Sequence, residues 1–208
     1  MDIAPPSTYW NHNVHHERFI LAAVPPGCAA ALEVGCGDGR LLRALAARCR
    51  EVTGVDSDPR MIGLARRNCA GERNVSLIER DFMAQPFSKE CFDFACANTV
   101  LHHMDFRAAL CALRDLVRPG GRIAVVGLGR DTLPADLPRA LVASPVNRVL
   151  RAVHGEGGPG APAKEPELTW AQTRAAALEV LPGARYRRHL LWRYSLVWRK
   201  PGRPGPGR

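Results

Sequence analysis

Residues 31–40 read ALEVGCGDGR, and this stretch decides the fold. A short apolar run leads into three glycines at every second position, Gly35, Gly37 and Gly39, and the residues that follow carry leucines at helical spacing. Glycine lets the backbone adopt positive φ and lets a ligand approach without meeting a Cβ atom, and the start of a helix offers free N–H groups. This strand, glycine turn and helix predict a nucleotide-type site in an α/β fold.

The spacing of the glycines distinguishes between nucleotides. A dinucleotide site carries G-x-G-x-x-G, whereas here the third glycine comes one residue early and Arg40 occupies the required position. A P-loop needs G-K-[ST], which is absent from the turn. The acids Glu33 and Asp38 flank the turn and would repel a pyrophosphate, but they suit an ammonium or a sulfonium group. The turn therefore indicates a ligand with cationic groups and without phosphate.

Length and composition are typical of one globular domain. The chain has 208 residues, 46% of them hydrophobic, and its longest apolar stretches are far shorter than the ~18–20 residues that span a membrane. The N-terminus has an early acid and no apolar segment of a signal peptide, so we expect a cytoplasmic protein without a membrane partner. The seven cysteines form no C-x-x-C pair, which favours reduced core cysteines over disulfides or zinc. The histidines are scattered, and no metal is predicted.

The net charge of +9 lies mainly in the second half of the chain, where no acid follows Glu179. A basic surface of this kind indicates a nucleic-acid partner in some proteins. The alternative is compositional, because arginine, alanine, glycine and proline are all frequent here, as GC-rich codon usage produces. We favour the compositional explanation, so nucleic acid is the less favoured partner.

Strands and helices alternate through the first two thirds of the chain, which predicts a parallel sheet covered by helices on both faces. The predicted strands are 30–34, 51–56, 74–81, 91–100 and 121–128, and the predicted helices between them are 40–49, 58–69 and 105–117. Asp58 and Asp105 are the expected N-caps, and the sequence 119–121, Pro-Gly-Gly, is expected to stop the third helix. A further helix is predicted in 13–24, before the sheet.

The alternation ends after Gly129. Residues 134–153 predict a helix with internal prolines, and the glycine- and proline-rich stretch 155–166 predicts a flexible or disordered connector. Thr169 and Gln172 form a capping box for a last helix. Two β-rich runs, ARYRRHLL and YSLVWRK, then predict a hairpin that closes the sheet.

The order of motifs resembles the class I S-adenosylmethionine-dependent methyltransferases, of the small-molecule type with a methyltransferase domain 11/25-like core. The family's acid-x-G-x-G-x-G matches EVGCGDG, its acid at the end of the second strand matches Asp56 in VTGVDSD, and its acid after the third strand matches Asp81 in ERDF. The segments FDFACANTVLHHM and LRDLVRPGGRIAVV resemble the family's fourth strand and its L-[KR]-P-G-G strand entry. These motifs cover residues ~30–128 in the family's order.

The resemblance implies an α/β, Rossmann-like, doubly wound and mainly parallel seven-stranded sheet with a C-terminal antiparallel hairpin. It also implies an N-terminal lid or helix in 1–29 and a single methyltransferase domain in 30–200. Within that domain, 130–170 would be a variable insertion that shapes the acceptor site, and 201–208 would be a disordered tail.

S-adenosylmethionine is the implied cofactor. Asp56 would accept the ribose hydroxyls, Asp81 the adenine amino group, and Phe82 would pack on the adenine ring. Glu33 would orient the turn or the ammonium group, and Asn98 would contact the methionine part. The full set of implied cofactor-binding residues is Glu33, Gly35, Cys36, Gly37, Asp56, Ser57, Asp81, Phe82 and Asn98.

The family has no universal catalytic residue, because methyl transfer is an in-line displacement that needs a base only when the acceptor must lose a proton. His102 and His103 follow the fourth strand and are the candidate bases, His102 ahead of His103. The alternative is that they pack or bond to the backbone as a loop feature. The lead-in residues Tyr9, Trp10, His12, His15 and His16 line an acceptor site or form an ordinary surface helix.

The absence of one sequence motif limits the classes of methyl acceptor. Many enzymes that methylate base amino groups carry [DNS]-P-P-[YFW] at the end of the fourth strand, where this chain has NTVL at 98–101. A small-molecule acceptor is therefore the favoured hypothesis. The alternatives are an rRNA or tRNA methyltransferase that uses the basic C-terminal half, and a non-catalytic module that binds S-adenosylmethionine. The oligomeric state stays open.

Overall fold

The structure is a computed structural model that describes residues 9–84, 87–132, 134, 136–155, 157–160 and 164–203. Its strands are β1 (Ala30–Val34), β2 (Glu51–Asp56), β3 (Val75–Glu79), β4 (Phe92–Asn98), β5 (Val117–Gly127), β6 (Arg185–Arg188) and β7 (Tyr194–Arg199). Its helices are α1 (His12–Leu21), α2 (Arg40–Ala46), α3 (Pro59–Asn68), α4 (Phe106–Leu116), α5 (Leu137–His154) and α6 (Trp170–Val180). Two short 3₁₀ turns, Phe82–Ala84 and Leu101–His103, follow β3 and β4.

The strands form one seven-stranded sheet in the order β3-β2-β1-β4-β5-β7-β6. β1 to β5 are parallel, whereas β7 runs antiparallel to β5 and β6 antiparallel to β7. This architecture confirms the predicted doubly wound α/β fold and its C-terminal hairpin. The strand order reverses between β1 and β4, so a crevice opens at the carboxyl ends of these strands.

Alternate residues of β1 point to opposite faces of the sheet, and each face has its own core. Leu32 and Val34 join a cluster with Leu110 of α4 and Ala177 of α6. Ala31 joins the opposite cluster, which contains residues of α1, α2 and α3. Glu33 has the same parity as Ala31 and is 2% exposed, so a carboxyl group is buried on the side of the sheet that carries α1.

The predicted helix starts are confirmed by their hydrogen bonds. The Asp58 side chain accepts from the N–H of Arg60 at 2.8 Å, and that of Asp105 accepts from the N–H of Ala108 at 2.8 Å. Thr169 and Gln172 form both halves of the capping box. Each cap satisfies N–H groups that the first helical turn leaves without a partner.

The end of α4 differs from the prediction. We expected the Pro-Gly-Gly sequence at 119–121 to stop this helix, but α4 ends at Leu116 and β5 begins at Val117. Val117 pairs with Phe92 of β4, and the register shifts before Phe94. Further along, the N–H of Gly120 donates to the carbonyl of Lys200 at 3.0 Å. Strand pairing therefore ends the helix, and the proline lies where the ladder is irregular.

The glycine-rich connector, predicted to be flexible or disordered, forms hydrogen bonds to other parts of the chain. In its described part, the N–H of Gly157 donates to the carbonyl of Trp10 at 3.1 Å. Arg60 of α3 donates to the carbonyls of Pro159 and Gly160 at 2.9 and 2.7 Å. Tertiary hydrogen bonds therefore hold this part of the connector between the start of α1 and the start of α3.

Both predicted terminal segments lie partly outside the described residues. Residues 1–8 of the lead-in and residues 204–208 of the tail are among those the structure does not describe. In the described part of the tail, Arg203 forms an ion pair with Glu90 at 2.9 Å. Within the described ranges, no helix is both long and apolar enough to cross a membrane.

Candidate functional site

A cavity of about 750 Å³ lies at the carboxyl ends of β1 to β4. This volume is within the range of small-molecule sites in proteins. The glycine turn, the ends of β2 and β4, the segment after β3, α1, the connector and the turn before β7 all contribute to its wall. The predicted site residues that line it are Glu33, Gly35, Cys36, Gly37, Asp56, Ser57, Asp81, Asn98, His102 and His103.

Phe82 is not part of the cavity wall. Its side chain is buried in the core of the sheet, whereas Met83 is 42% exposed and lines the cavity. The N–H of Met83 donates to Oδ1 of Asp81 at 2.9 Å, so the chain turns directly after the acid. This side-chain-to-backbone turn orients residue 83, and not residue 82, toward the cavity.

The glycines at 35 and 37 meet different requirements. Both have positive φ, +66° and +54° respectively, which disfavours any residue with a side chain. A Cβ atom at Gly35 would overlap the Val100 side chain, whereas a Cβ atom at Gly37 would meet nothing within 4 Å. Gly35 is therefore needed for packing, and Gly37 leaves open space where the turn borders the cavity.

Asp56 links the glycine turn to the end of β2. β1 and β2 are parallel with Val34 opposite Val55, so Asp56 comes level with the start of the turn. Its Oδ2 atom accepts from the N–H of Gly37 at 2.8 Å, and its Oδ1 atom accepts from the N–H of Asp58 at 2.9 Å. Each oxygen keeps a further acceptor site, so the oriented carboxylate is able to bind a pair of hydroxyls.

Carboxyl groups are concentrated beside the turn. Burial raises the pKa of Glu33 well above its usual value, and Glu17, Asp38 and Asp56 add to this effect. The Oε2 atom of Glu33 is buried and has no hydrogen-bond partner among the residues that the structure describes. An unpartnered buried carboxyl oxygen is costly unless a donor or a cation reaches it. This part of the wall therefore fits a cationic ligand.

Glu17 of α1 belongs to the same acidic cluster. Burial raises its pKa to about 7, although the Arg40 guanidinium opposes this shift. The two side chains approach at 3.4 Å, between Oε2 of Glu17 and Nε of Arg40. Glu17 is therefore only partly ionised near neutral pH and would ionise more fully beside a bound cation.

His102 and His103 lie in the 3₁₀ turn after β4, with their ring centroids 4.2 Å apart. Burial lowers the pKa of His102 to about 4 and also lowers that of His103. Both rings are therefore neutral at neutral pH and able to accept a proton, His102 as a weaker base than free histidine. The Nδ1 atom of His102 is buried without a hydrogen-bond partner in the described part of the chain.

The segment before β1 lines the cavity with different residues from those that its sequence suggested. Of Tyr9, Trp10, His12, His15 and His16, only Tyr9 lines the cavity. Trp10 stacks on His154 of α5, His12 pairs with Asn147 at 2.7 Å, and His16 bonds to the His12 carbonyl. The lining residues of α1 are Asn13, Val14 and Glu17, which are spaced as one face of a helix.

Arg193 is a cavity residue that no motif indicated. It follows the turn between β6 and β7, far in sequence from the glycine turn, and its side chain reaches Asn13 of α1. Its neighbours in sequence are mainly aromatic and apolar, and no known motif includes it. The sequence therefore indicated this residue only as an isolated arginine next to the last strand.

We predict that Gly35→Ala destabilises the fold more than Gly37→Ala does. Both variants carry the cost of positive φ, about 1 kcal/mol, while Gly35→Ala adds overlap with Val100 worth about 1–3 kcal/mol. Urea unfolding of the two variants gives the comparison directly. Adding Val100→Ala should restore part of the stability of Gly35→Ala and none of that of Gly37→Ala. Equal destabilisation of the two single variants would contradict this account of Gly35.

The family is shown by comparison with known proteins. A family model described as a methyltransferase domain matches residues 32–125. An uncharacterized methyltransferase of Mycobacterium tuberculosis is 36% identical over 194 residues, which cover 92% of this chain and 98% of that protein. A demethylmenaquinone methyltransferase of Staphylococcus aureus is 32% identical over 108 residues, covering 50% of this chain and 45% of that protein.

Solved structures share the fold at lower identity. The N-methyltransferase NodS of Bradyrhizobium japonicum in complex with S-adenosyl-L-homocysteine is 18% identical, with a TM-score of 0.60 over 91% of this chain and 86% of that one. The [4+2]-cyclase SpnF is 15% identical, with a TM-score of 0.66 over 95% of this chain and 88% of that one. With its sheet order, its cavity and the methyltransferase of M. tuberculosis that it matches along nearly its whole length, this chain belongs to the class I S-adenosylmethionine-dependent methyltransferases.

Proposed function

We propose that the methyl acceptor of this enzyme is a small molecule. The observation that carries the proposal is the shape of the site: a concave cavity of about 750 Å³ whose wall includes α1 and the described part of the connector. A nucleic-acid base would need an open approach and a grip on the flipped base, and the sequence after β4 is NTVL without a Pro-Pro-aromatic. The cavity suits an acceptor molecule that is small enough to fit inside it completely.

The cofactor would occupy the acidic part of the cavity, which is the wall beside the glycine turn that contains Glu17, Glu33, Asp38 and Asp56. When bound, S-adenosylmethionine supplies a methyl group activated by a positively charged sulfur. We assign Asp56 to the ribose hydroxyls and Asp81 to the adenine amino group, as their places at the end of β2 and after β3 allow. Met83, in place of Phe82, would give the adenine ring an apolar contact. Glu33 and its acidic neighbours would face the ammonium group.

The acceptor would lie toward the 3₁₀ turn after β4. His102, His103 and Met104 line the cavity there, beside the connector residue Lys164, whose backbone forms a hydrogen bond with His102. His102 is neutral at neutral pH and would take a proton from an acceptor hydroxyl or amine as the methyl group is transferred. We further infer that residues 1–29 act as the lid and that 130–170 shape the acceptor site, since Tyr9 and Gly158–Gly160 both border the cavity.

An RNA acceptor is the second candidate, and its support is the net charge of +9. Arg185 and Arg187 of β6 are exposed, but neither lines the cavity. Basic residues on this edge of the sheet would hold a phosphate backbone at a distance from the cofactor site. The cavity therefore favours the small-molecule acceptor, and a direct comparison of the two classes decides between them.

We expect Asp56→Ala to weaken binding of S-adenosyl-L-homocysteine at least tenfold, about 1.4 kcal/mol, because the ribose hydroxyls lose their acceptor. Isothermal titration calorimetry measures the affinity. Glu51→Ala is the matched control, since Glu51 is exposed at the other end of β2. A thermal melt of each variant checks that the fold is retained. Unchanged affinity in a folded Asp56→Ala protein would remove Asp56 from the cofactor site.

We expect the affinity for S-adenosyl-L-homocysteine to rise as the pH increases from 6 to 8. The pKa of Glu17 is raised to about 7, so a growing fraction of this carboxyl is ionised over that range and attracts the ligand's ammonium group. Ionisation of one group would produce a rise of up to about tenfold. Calorimetry at pH 6, 7 and 8 measures it, and Glu17→Gln should flatten the profile. The same slope in Glu17→Gln would exclude Glu17 as the titrating group.

Methyl transfer from radiolabelled S-adenosylmethionine tests the acceptor class. The enzyme is incubated separately with the small-molecule fraction and the RNA fraction of a cell extract, and we expect label in the small-molecule fraction only. Asp56→Ala serves as the enzyme-dependence control. Label that appears in RNA, and disappears as salt is raised, would support the alternative acceptor. Cofactor binding without label in either fraction would indicate a non-catalytic module.

A further inference from the structure

Arg193 is a charged side chain in the cavity wall whose described partners are all neutral. Its Nε and Nη2 atoms donate to Oδ1 of Asn13 at 3.1 and 2.8 Å, and its Nη1 atom donates to the carbonyl of Trp192 at 3.0 Å. Among the described residues, no acid forms an ion pair with it. Burial lowers the pKa of Arg193 to about 10, so it stays protonated at neutral pH. A half-buried cation without a counter-ion is costly.

The local backbone holds this guanidinium in place before any ligand binds. Trp192, directly before it, has φ +50°, a left-handed conformation that is unfavourable for a bulky side chain. The N–H of His189 donates to the Arg193 carbonyl at 2.7 Å and closes the turn. Strain of this kind persists where the surrounding structure imposes it, commonly at ligand sites. The side chain is thus pre-organised, which reduces the entropy lost on binding.

The groups around Arg193 leave its charge uncompensated. Burial lowers the pKa of His102, in the turn after β4, and of His16, in α1, and the positive charge of Arg193 adds to both shifts. Two other cationic side chains of the cavity wall already have acidic partners: Lys164 of the connector is paired with Glu167 at 2.8 Å, and Arg40 with Glu17 at 3.4 Å. The acids of the cavity gather instead around Glu33, beside the glycine turn. The wall therefore has an acidic part and a separate basic part.

We propose that Arg193 is the carboxylate-binding residue of this cavity. Its three hydrogen bonds use three of the five guanidinium N–H groups, which leaves two for a ligand. Two N–H groups and a single positive charge match the two oxygens and the single charge of a carboxylate. A phosphate dianion would bring more charge than this guanidinium balances, because Lys164, the neighbouring cation of the wall, is already paired with Glu167.

The carboxylate has two possible sources, the amino-acid end of the cofactor or the methyl acceptor. Asn98, at the end of β4, donates to the Asn13 carbonyl at 3.4 Å, and Asn13 in turn holds Arg193. The guanidinium is therefore connected to the end of the strand that borders both the cofactor and the acceptor. The inference rests on the proposed function, because both sources require a bound S-adenosylmethionine.

The first arm of the test compares two nucleosides by calorimetry. S-adenosyl-L-homocysteine carries the amino-acid carboxylate, whereas 5′-methylthioadenosine lacks the amino-acid end. If the cofactor is the source, Arg193→Gln should bind S-adenosyl-L-homocysteine at least tenfold more weakly and bind 5′-methylthioadenosine within about twofold of the wild type. Arg193→Lys should recover only part of the loss, because lysine does not bind two oxygens in parallel. Arg187→Gln, an exposed arginine on β6, is the matched control.

The second arm asks whether the acceptor is the source. With S-adenosyl-L-homocysteine saturating, malonate and benzoate are compared with malonamide and benzamide by thermal shift. If the acceptor supplies the carboxylate, the acids should raise the Tm of the wild type and of Arg187→Gln, but not that of Arg193→Gln, and the amides should raise none. The affinity of Arg193→Gln for S-adenosyl-L-homocysteine should then be unchanged.

The outcomes separate this inference from the proposed function. Binding of all these ligands by Arg193→Gln as in the wild type would overturn the role of Arg193 while leaving the cofactor site intact. Failure of the wild type to bind S-adenosyl-L-homocysteine would instead overturn the cofactor site itself. Retained affinity of Arg193→Gln for 5′-methylthioadenosine excludes a general folding defect as the cause of any loss.

Discussion

The carboxylate of Asp56 is the interaction on which the site depends. It accepts the N–H of Gly37 on one side and the N–H of Asp58 on the other, so it joins the turn after β1 to the start of α3. Backbone hydrogen bonds support this link, because the N–H groups of Gly35 and Cys36 both donate to the Val55 carbonyl, at 2.8 and 3.1 Å. The parallel pairing of β1 and β2 brings the two loops level, and the side chain holds them there. The fold thus orients a carboxylate in the cavity wall through the same bonds that stabilise the loops.

The cavity concentrates groups that are unfavourable in the free protein. Glu33 is buried with an unpartnered oxygen, and Arg193 has only neutral partners among the described residues. Like charges gather in the acidic part, which raises the pKa of Glu33 further. Such local conflicts are typical of functional sites, because a ligand of the opposite charge relieves them. A zwitterionic ligand with sulfonium, ammonium and carboxylate groups has charges for both parts of the wall.

Much of the fold was predictable because its signals are local. Asp58, Asp105 and Thr169 cap their helices as their positions before apolar periodic segments predicted. Two local sequence patterns did not indicate the contacts that their segments make with distant parts of the chain. The Pro-Gly-Gly at 119–121 lies inside β5, since strand pairing from Val117 ends the helix first. The connector of glycine and proline is hydrogen-bonded in its described part to Arg60 and Trp10, contacts that its composition did not indicate.

The sequence by itself determined the fold class and indicated most of the residues that line the cavity. Strands alternate with helices, a glycine turn follows the first strand, and acids stand at or just beyond the ends of the next two strands, which leaves few other arrangements. Only the tertiary structure decided which neighbouring side chain reaches the cavity: Met83 and not Phe82, Asn13 and not His12. It also brought Arg193 to the cavity from across the sheet. Side-chain direction in turns and contacts between distant segments depend on packing, which no local pattern encodes.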